Sequence, residues 1–185
     1  MPDEMRPLYL ISGTDGAKIE TTRQRLRARA EREGGAGALE VFEPTEGRGA
    51  PDHEALLAAI PTMSLMGTRR YLLADGVEKW RVKQQTAVAE AIGEALPPDL
   101  TLVLISRSKA PAKLLQAVKA AKGELHNFEA PKAHDMPPSL VAEAERLGFR
   151  LAPVAARLMV ERMGPEPLRL HNELERLALW AGEGG

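Results

Sequence analysis

The segment Gly13-Thr14-Asp15-Gly16-Ala17-Lys18 puts two glycines and a lysine directly after a short apolar run, where a phosphate-binding loop would stand. A working loop of that kind reads Gly-x-x-x-x-Gly-Lys-Ser/Thr, because its amides wrap phosphate oxygens and the hydroxyl holds magnesium. Here the glycines are too close together, Ile19 follows Lys18 in place of a hydroxyl, and Asp15 sets negative charge where phosphates should lie. The Gly-x-Gly-x-x-Gly dinucleotide loop is absent as well. Asp75 ends the run Leu72-Leu73-Ala74-Asp75, where a magnesium-binding acid would sit, but Gly76 replaces the second acid of such a pair. His53, His126, His134 and His171 are scattered with no zinc-ligand spacing. Ser12, Ser64, Ser106 and Ser108 lack the Gly-x-Ser-x-Gly context of a nucleophile elbow. The expectation is therefore a chain without catalytic activity, cofactor or metal.

A different feature stands out between Pro61 and Arg70. Pro61 stops a helical pattern ending Leu56-Leu57-Ala58-Ala59-Ile60, and Gly67 breaks the chain again before an apolar strand begins. Met63, Leu65 and Met66 lie between these breakers. Loops usually expose polar residues, so three large apolar side chains either fold back onto the core or are kept for a partner protein.

The elements that must position these residues read as an alternation. Strands are expected at Leu8–Ser12, Leu39–Phe42, Arg70–Asp75, 101–106 and 124–128. Helices are expected at 18–33, from an Asp52 cap through Ile60, at 84–96 and at 112–121. Strands alternating with helices imply a parallel sheet covered on both faces, and continuous apolar runs such as Thr-Leu-Val-Leu-Ile-Ser imply central strands. Residues 129–138 hold three prolines and no apolar period, which reads as a linker. Three helical segments follow, at 139–147, Pro153–Met163 and 167–180, separated by Gly148 and Gly164. The expected organisation is an α/β domain over 1–135 and a small all-α domain over 136–185, and the Gly-rich end reads as a truncation in a loop.

Composition bounds what the chain can be. It has 185 residues, 44% of them apolar and 28% charged, in the range of a globular protein. Cysteine is absent, which excludes a disulfide scaffold and thiolate chemistry. No run approaches the roughly 18 apolar residues of a membrane span, and no secretory signal is recognisable; a cytoplasmic protein is expected. Net charge is −1, so the chain as a whole is no electrostatic glove for nucleic acid. The exception is the helix at 18–32, where Lys18, Arg25, Arg29 and Arg32 share a face. That face is either solvated and balanced by Glu20, Glu31 and Glu33, or a phosphate-facing patch of a DNA-binding module. Aromatic residues make up 4%, which argues against base stacking, and Trp80 and Trp180 are expected to pack inside.

Three separated segments, in order, resemble the delta subunit family of the bacterial DNA polymerase III clamp loader. Leu8-Tyr9-Leu10-Ile11-Ser12-Gly13-Thr14-Asp15 looks like its opening strand and empty nucleotide loop. Thr62-Met63-Ser64-Leu65-Met66-Gly67-Thr68-Arg69-Arg70 is similar to its clamp-contact element, with Met66 where the family often has Phe. Gly148-Phe149-Arg150-Leu151-Ala152-Pro153, with the segments at 158–164 and 170–177, resembles its lid domain.

The resemblance implies a RecA-like, AAA+-type five-stranded parallel sheet with helices on both faces, followed by a helical lid. The family's C-terminal collar domain is missing from this sequence. The implied work is to bind the ring-shaped sliding clamp (the beta ring) and help open it for loading onto primed DNA in replication, without ATPase activity. Met63, Ser64, Leu65 and Met66 would contact the clamp, Leu65 and Met66 as the wedge, with Thr68, Arg69 and Arg70 at the rim. Gly13, Asp15, Gly16 and Lys18 would form a degenerate nucleotide loop that does not bind ATP. Implied partners are the clamp, the other clamp-loader subunits in the full-length protein and, indirectly, primed DNA; no membrane is involved, and the location is cytoplasmic and nucleoid-associated. An active P-loop NTPase remains as an alternative. Arg169 resembles a sensor arginine of active relatives but, with no phosphate loop to serve, is expected in a surface salt bridge, and Ser106 is expected to be a relic of a polar sensor.

Overall fold

The computed structural model describes residues 6–44, 49–62, 68–94 and 96–181. Five strands, β1 (Leu8–Ser12), β2 (Leu39–Phe42), β3 (Arg70–Asp75), β4 (Leu100–Ser106) and β5 (Glu124–Asn127), form one parallel sheet in the order β2-β3-β4-β1-β5. Four helices connect them: α1 (Gly16–Gly34), α2 (His53–Ala59), α3 (Val82–Gly93) and α4 (Ala112–Ala120).

Alternation along β4 explains its unbroken apolar run. Leu100, Leu102 and Leu104 join Leu8, Leu10 and Leu72 on one face, under Leu56 of α2, Val88 and Ile92 of α3, and Leu114 and Val118 of α4. Val103 and Ile105 join Ile11, Tyr71 and Leu73 on the other face, under Ile19, Leu26 and Ala30 of α1. A strand apolar at every position belongs where both faces are covered, and all seven residues of β4 are buried. The edge strands β2 and β5 are only partly buried.

Local chemistry sets most helix ends. Asp52 Oδ1 accepts the amides of Glu54 and Ala55 at 3.0 and 3.1 Å, capping α2 as expected. Helix α3 starts at Val82, earlier than expected, because Gln84 Oε1 accepts the Arg81 amide at 2.8 Å. It stops at Gly93, short of the expected end at 96.

The chain divides into two compact units, one holding residues 1–14 and 18–128, the other 15–17 and 129–185. The division after Phe128 lies upstream of the break expected near 135. The stretch read as a linker is shorter than expected: α5 (Met136–Arg146) already includes Pro137 and Pro138 in its first turn. Proline is tolerated there because a first-turn amide has no partner inside the helix. Helices α6 (Pro153–Met163) and α7 (Pro167–Ala181) complete the second unit, whose core is Met136, Leu140, Ala144, Phe149, Ala156, Leu170 and Leu174. Gly148, at φ +89°, makes the turn after α5 that lets the Phe149 amide reach the Ala144 carbonyl at 3.1 Å.

One expectation about packing fails. Trp80 is buried and its indole donates to the Pro51 carbonyl at 2.7 Å, but Trp180 is 92% exposed, with neighbouring Leu179 at 86%. On α7 the buried stripe is Leu170 and Leu174 with Ala178 against it. Positions 179 and 180 fall outside that stripe, so helical phase overrides side-chain hydrophobicity. Among the described residues no helix is long and apolar enough to cross a membrane.

Candidate functional site

In a parallel sheet, ligands bind beyond the carboxyl ends of the strands, where neighbouring connections leave toward opposite faces. Here that place is the end of β1 and β4: α1 leaves β1 over one face, and α4 leaves β4 over the other. Gly13 and Ser106 lie at these strand ends, and Asp75 lies at the end of the neighbouring β3.

The protein itself occupies the groups that would serve a nucleotide. The Gly13 amide donates to the carbonyls of Ser106 and Ser108, at 3.1 and 3.0 Å, instead of facing an open cradle. Gly13 sits at φ +130°, and a β-carbon there would lie 2.0 Å from the Phe128 carbonyl oxygen. The Phe128 amide in turn donates to Ser12 O at 2.7 Å, so the exits of β1 and β5 are fastened together. Asp15 is buried and Lys18 is exposed. The Ser106 hydroxyl donates to the carbonyls of Ser108 and Lys109, at 3.2 and 3.3 Å, closing the turn after β4.

Asp75, the one acid placed for a metal, is taken by arginines. Arg107 forks onto both of its oxygens, Nε at 2.9 Å and Nη2 at 2.7 Å, and Arg23 of α1 approaches at 3.1 Å. Arg23 also meets Glu43 and Glu20, and the Arg107 amide donates to Glu78. The hydrogen bond to Asp75 raises the Arg107 pKa against the opposing effect of burial, so the guanidinium stays charged. Among the described residues no group of three His, Asp or Glu side chains could hold a metal ion.

The apolar stretch between α2 and β3 is the second candidate. Met63, Ser64, Leu65, Met66 and Gly67 lie outside the described residues; both flanks are described. The Arg70 guanidinium turns inward and donates through Nη1 to Ala59 O, at 3.2 Å, and to Thr62 O. Its Nη2 lies 3.9 Å from Glu40. Arg70, expected at a contact rim, thus ties together the two feet of the segment. Arg69 lies close enough to Glu33 to help hold that carboxyl below the usual range. Thr68 is half-buried.

Arg169 departs from its expected salt bridge: it donates to the Met163 carbonyl at 3.1 Å, at the C-terminal end of α6, where a cation meets unpaired carbonyls and the negative dipole end. On α1, Glu33 holds Arg29 at 2.6 Å, which takes one cation out of the expected basic face; Arg23, outside that face, is held by Glu43. The role of Arg107 was missed in the sequence. Its signal is positional: Asp75 pairs in register with Ile105, so a cation two residues further on reaches the end of β3.

No protein-family model and no curated protein matches the sequence. Solved structures do match the fold. The DNA clamp loader delta protein (YqeN) of Bacillus subtilis aligns with a TM-score of 0.64 at 18% identity, over 97% of this chain and 55% of that one. The RuvB Holliday junction branch migration motor of Thermotoga maritima aligns with a TM-score of 0.55 at 14% identity, over 95% and 54%. A DNA polymerase III gamma subunit-related protein of the same organism gives 0.53 at 18%, over 92% and 53%. The chain therefore has the RecA-like, AAA+-type fold, and it spans about half the length of these proteins.

Proposed function

We propose that this chain is the clamp-binding part of a clamp-loader delta subunit, which grips a sliding clamp through Leu65 and Met66 and favours the open ring. The supporting observation is the brace at the segment's base: Arg70 joins Ala59 O and Thr62 O on one side of Met63–Gly67 to the start of β3 on the other. Such a brace fixes where the segment leaves the body, which lowers the ordering cost of presenting it to a partner. The likeness of fold to the Bacillus subtilis clamp loader delta protein supports the same reading.

Burying Leu65 and Met66 contributes about 3–6 kcal/mol gross. Micromolar binding needs about 8 kcal/mol net, so polar contacts around the wedge must add to it, with Thr68 and Arg69 as candidates. Methionine in place of a phenylalanine tip keeps apolar volume and adds flexibility. Ring opening follows from linkage: a binder shifts the ring only by its differential affinity for the open state, and no covalent step is needed. In this proposal the chain is not an ATPase, in keeping with an Asp75 already shared by Arg107 and Arg23. Other clamp-loader subunits and primed DNA are engaged by the full-length assembly.

The test is capture of the sliding clamp from the same organism by this chain and by a Leu65→Ala, Met66→Ala double variant. The expected outcome is retention by the parent and a loss of about 100-fold or more in the variant, the effect of removing two buried anchors. Equal capture by a folded double variant would remove the wedge assignment.

A further inference from the structure

A cavity of about 190 Å³ lies between α1 and the sheet; it shares Arg23 with the strand-end candidate but not Asp75 or Gly13. Its floor is Ile11, Leu26, Val103 and Ile105, all buried core residues. One wall is aromatic: Tyr9 and His126 line it, stacked at 6.2 Å between centroids and 8° between planes, with Phe128 stacked on His126 beyond. Arg23, Arg25 and Arg29 border it from α1. Arg23 and Arg29 are committed to Asp75, Glu43 and Glu33. Arg25 is exposed and makes no ion pair among the described residues.

We propose that this cavity receives an aromatic side chain from an acidic peptide segment of a partner protein. An apolar cavity of about 150 Å³ admits a benzene ring, so the volume suits one six-membered ring. The Tyr9–His126 wall offers a π face for offset stacking. An apolar floor cannot satisfy the polar edges of a nucleobase, which argues for a hydrocarbon ring. The polar groups nearby are already used: the Thr22 hydroxyl donates to Lys18 O at 2.8 Å, and the Tyr9 oxygen accepts the Arg6 amide at 2.9 Å. Of the three arginines at the rim, Arg25 is the one without an acid on it among the described residues, and it selects a carboxylate beside the ring; His126 Nε2 on the wall already meets Glu124 at 3.2 Å. This surface and the clamp-binding segment are independent sites.

The probe is a labelled peptide with one phenylalanine between pairs of aspartates, titrated into the 185-residue chain and followed by fluorescence anisotropy. Two α1 variants separate charge from volume: Arg25→Glu reverses the rim, and Thr22→Phe fills the cavity. The expected result is saturable binding that weakens about tenfold or more in each variant, and also when the phenylalanine becomes alanine. Leu65→Ala, Met66→Ala should leave it unchanged. Absence of saturable binding at millimolar peptide, equal binding of the alanine peptide, or full binding by both folded variants would overturn the proposal. Free 3-phenylpropanoate binding as tightly as the peptide would also overturn it, in favour of a small aromatic acid.

Discussion

At the residue scale, two buried groups carry testable energetics. Thr101 is fully buried in β4, and its hydroxyl has no hydrogen-bond partner among the described residues. Valine keeps the branched shape and β preference without the stranded hydroxyl. Thr101→Val should stabilise the fold by about 1 kcal/mol, read as a rise of about 2–4 °C in Tm. Tyr71 donates its hydroxyl to Glu33, 38 residues away. That bond, ahead of Arg29 and against burial, lowers the Glu33 pKa. A lowered folded pKa stabilises above the ordinary carboxylate range and loses that contribution as pH falls through the lowered value. Burial and then the Glu33 bond push the Tyr71 phenol up to about 12. Its contribution is complete below its ordinary value of about 10 and is lost as pH rises through about 12. Tyr71→Phe should therefore flatten the fall of the urea midpoint at both ends, below about pH 4 and above about pH 10. An unchanged profile would remove the pair as a pH-linked contact.

At the element scale, the joint between α2 and β3 matters most. Residue spacing predicted a helix, a break and a strand, and these are present as α2 and β3. The inward turn of Arg70 was not legible, because a basic residue beside an exposed-looking segment reads as a surface group until the carbonyls at the end of α2 are located. Arg70→Met keeps the stem and removes the guanidinium that joins the segment's feet. Clamp capture should weaken by about three- to tenfold through lost preorganisation, with the dichroism of the fold unchanged. Capture equal to the parent would leave the brace without a role in binding. The Asp75–Arg107 pair shows the same limit of local reading, since its members are 32 residues apart and meet only through the β3–β4 register.

At the scale of the whole molecule, the two units have separate cores, one built on both faces of a sheet and the other on a few residues of three helices. Opening free energies should differ accordingly. Amide hydrogen exchange is expected to be slowest in β4 and β1 and at least about tenfold faster through α6 and α7; uniform protection would show a single cooperative unit. The sequence by itself determined the parallel α/β architecture, the helical C-terminal unit and the lack of an intact phosphate loop. Those follow from hydrophobic period, breakers and motif spacing, which act over neighbouring residues. Tertiary structure decided the rest: that Gly13 is pressed against Phe128, that Asp75 is shared by two arginines, that Trp180 faces water and that α1 leaves a cavity over Tyr9 and His126. Each depends on which distant segments the strand order makes neighbours, and a linear pattern carries no distance across the sheet.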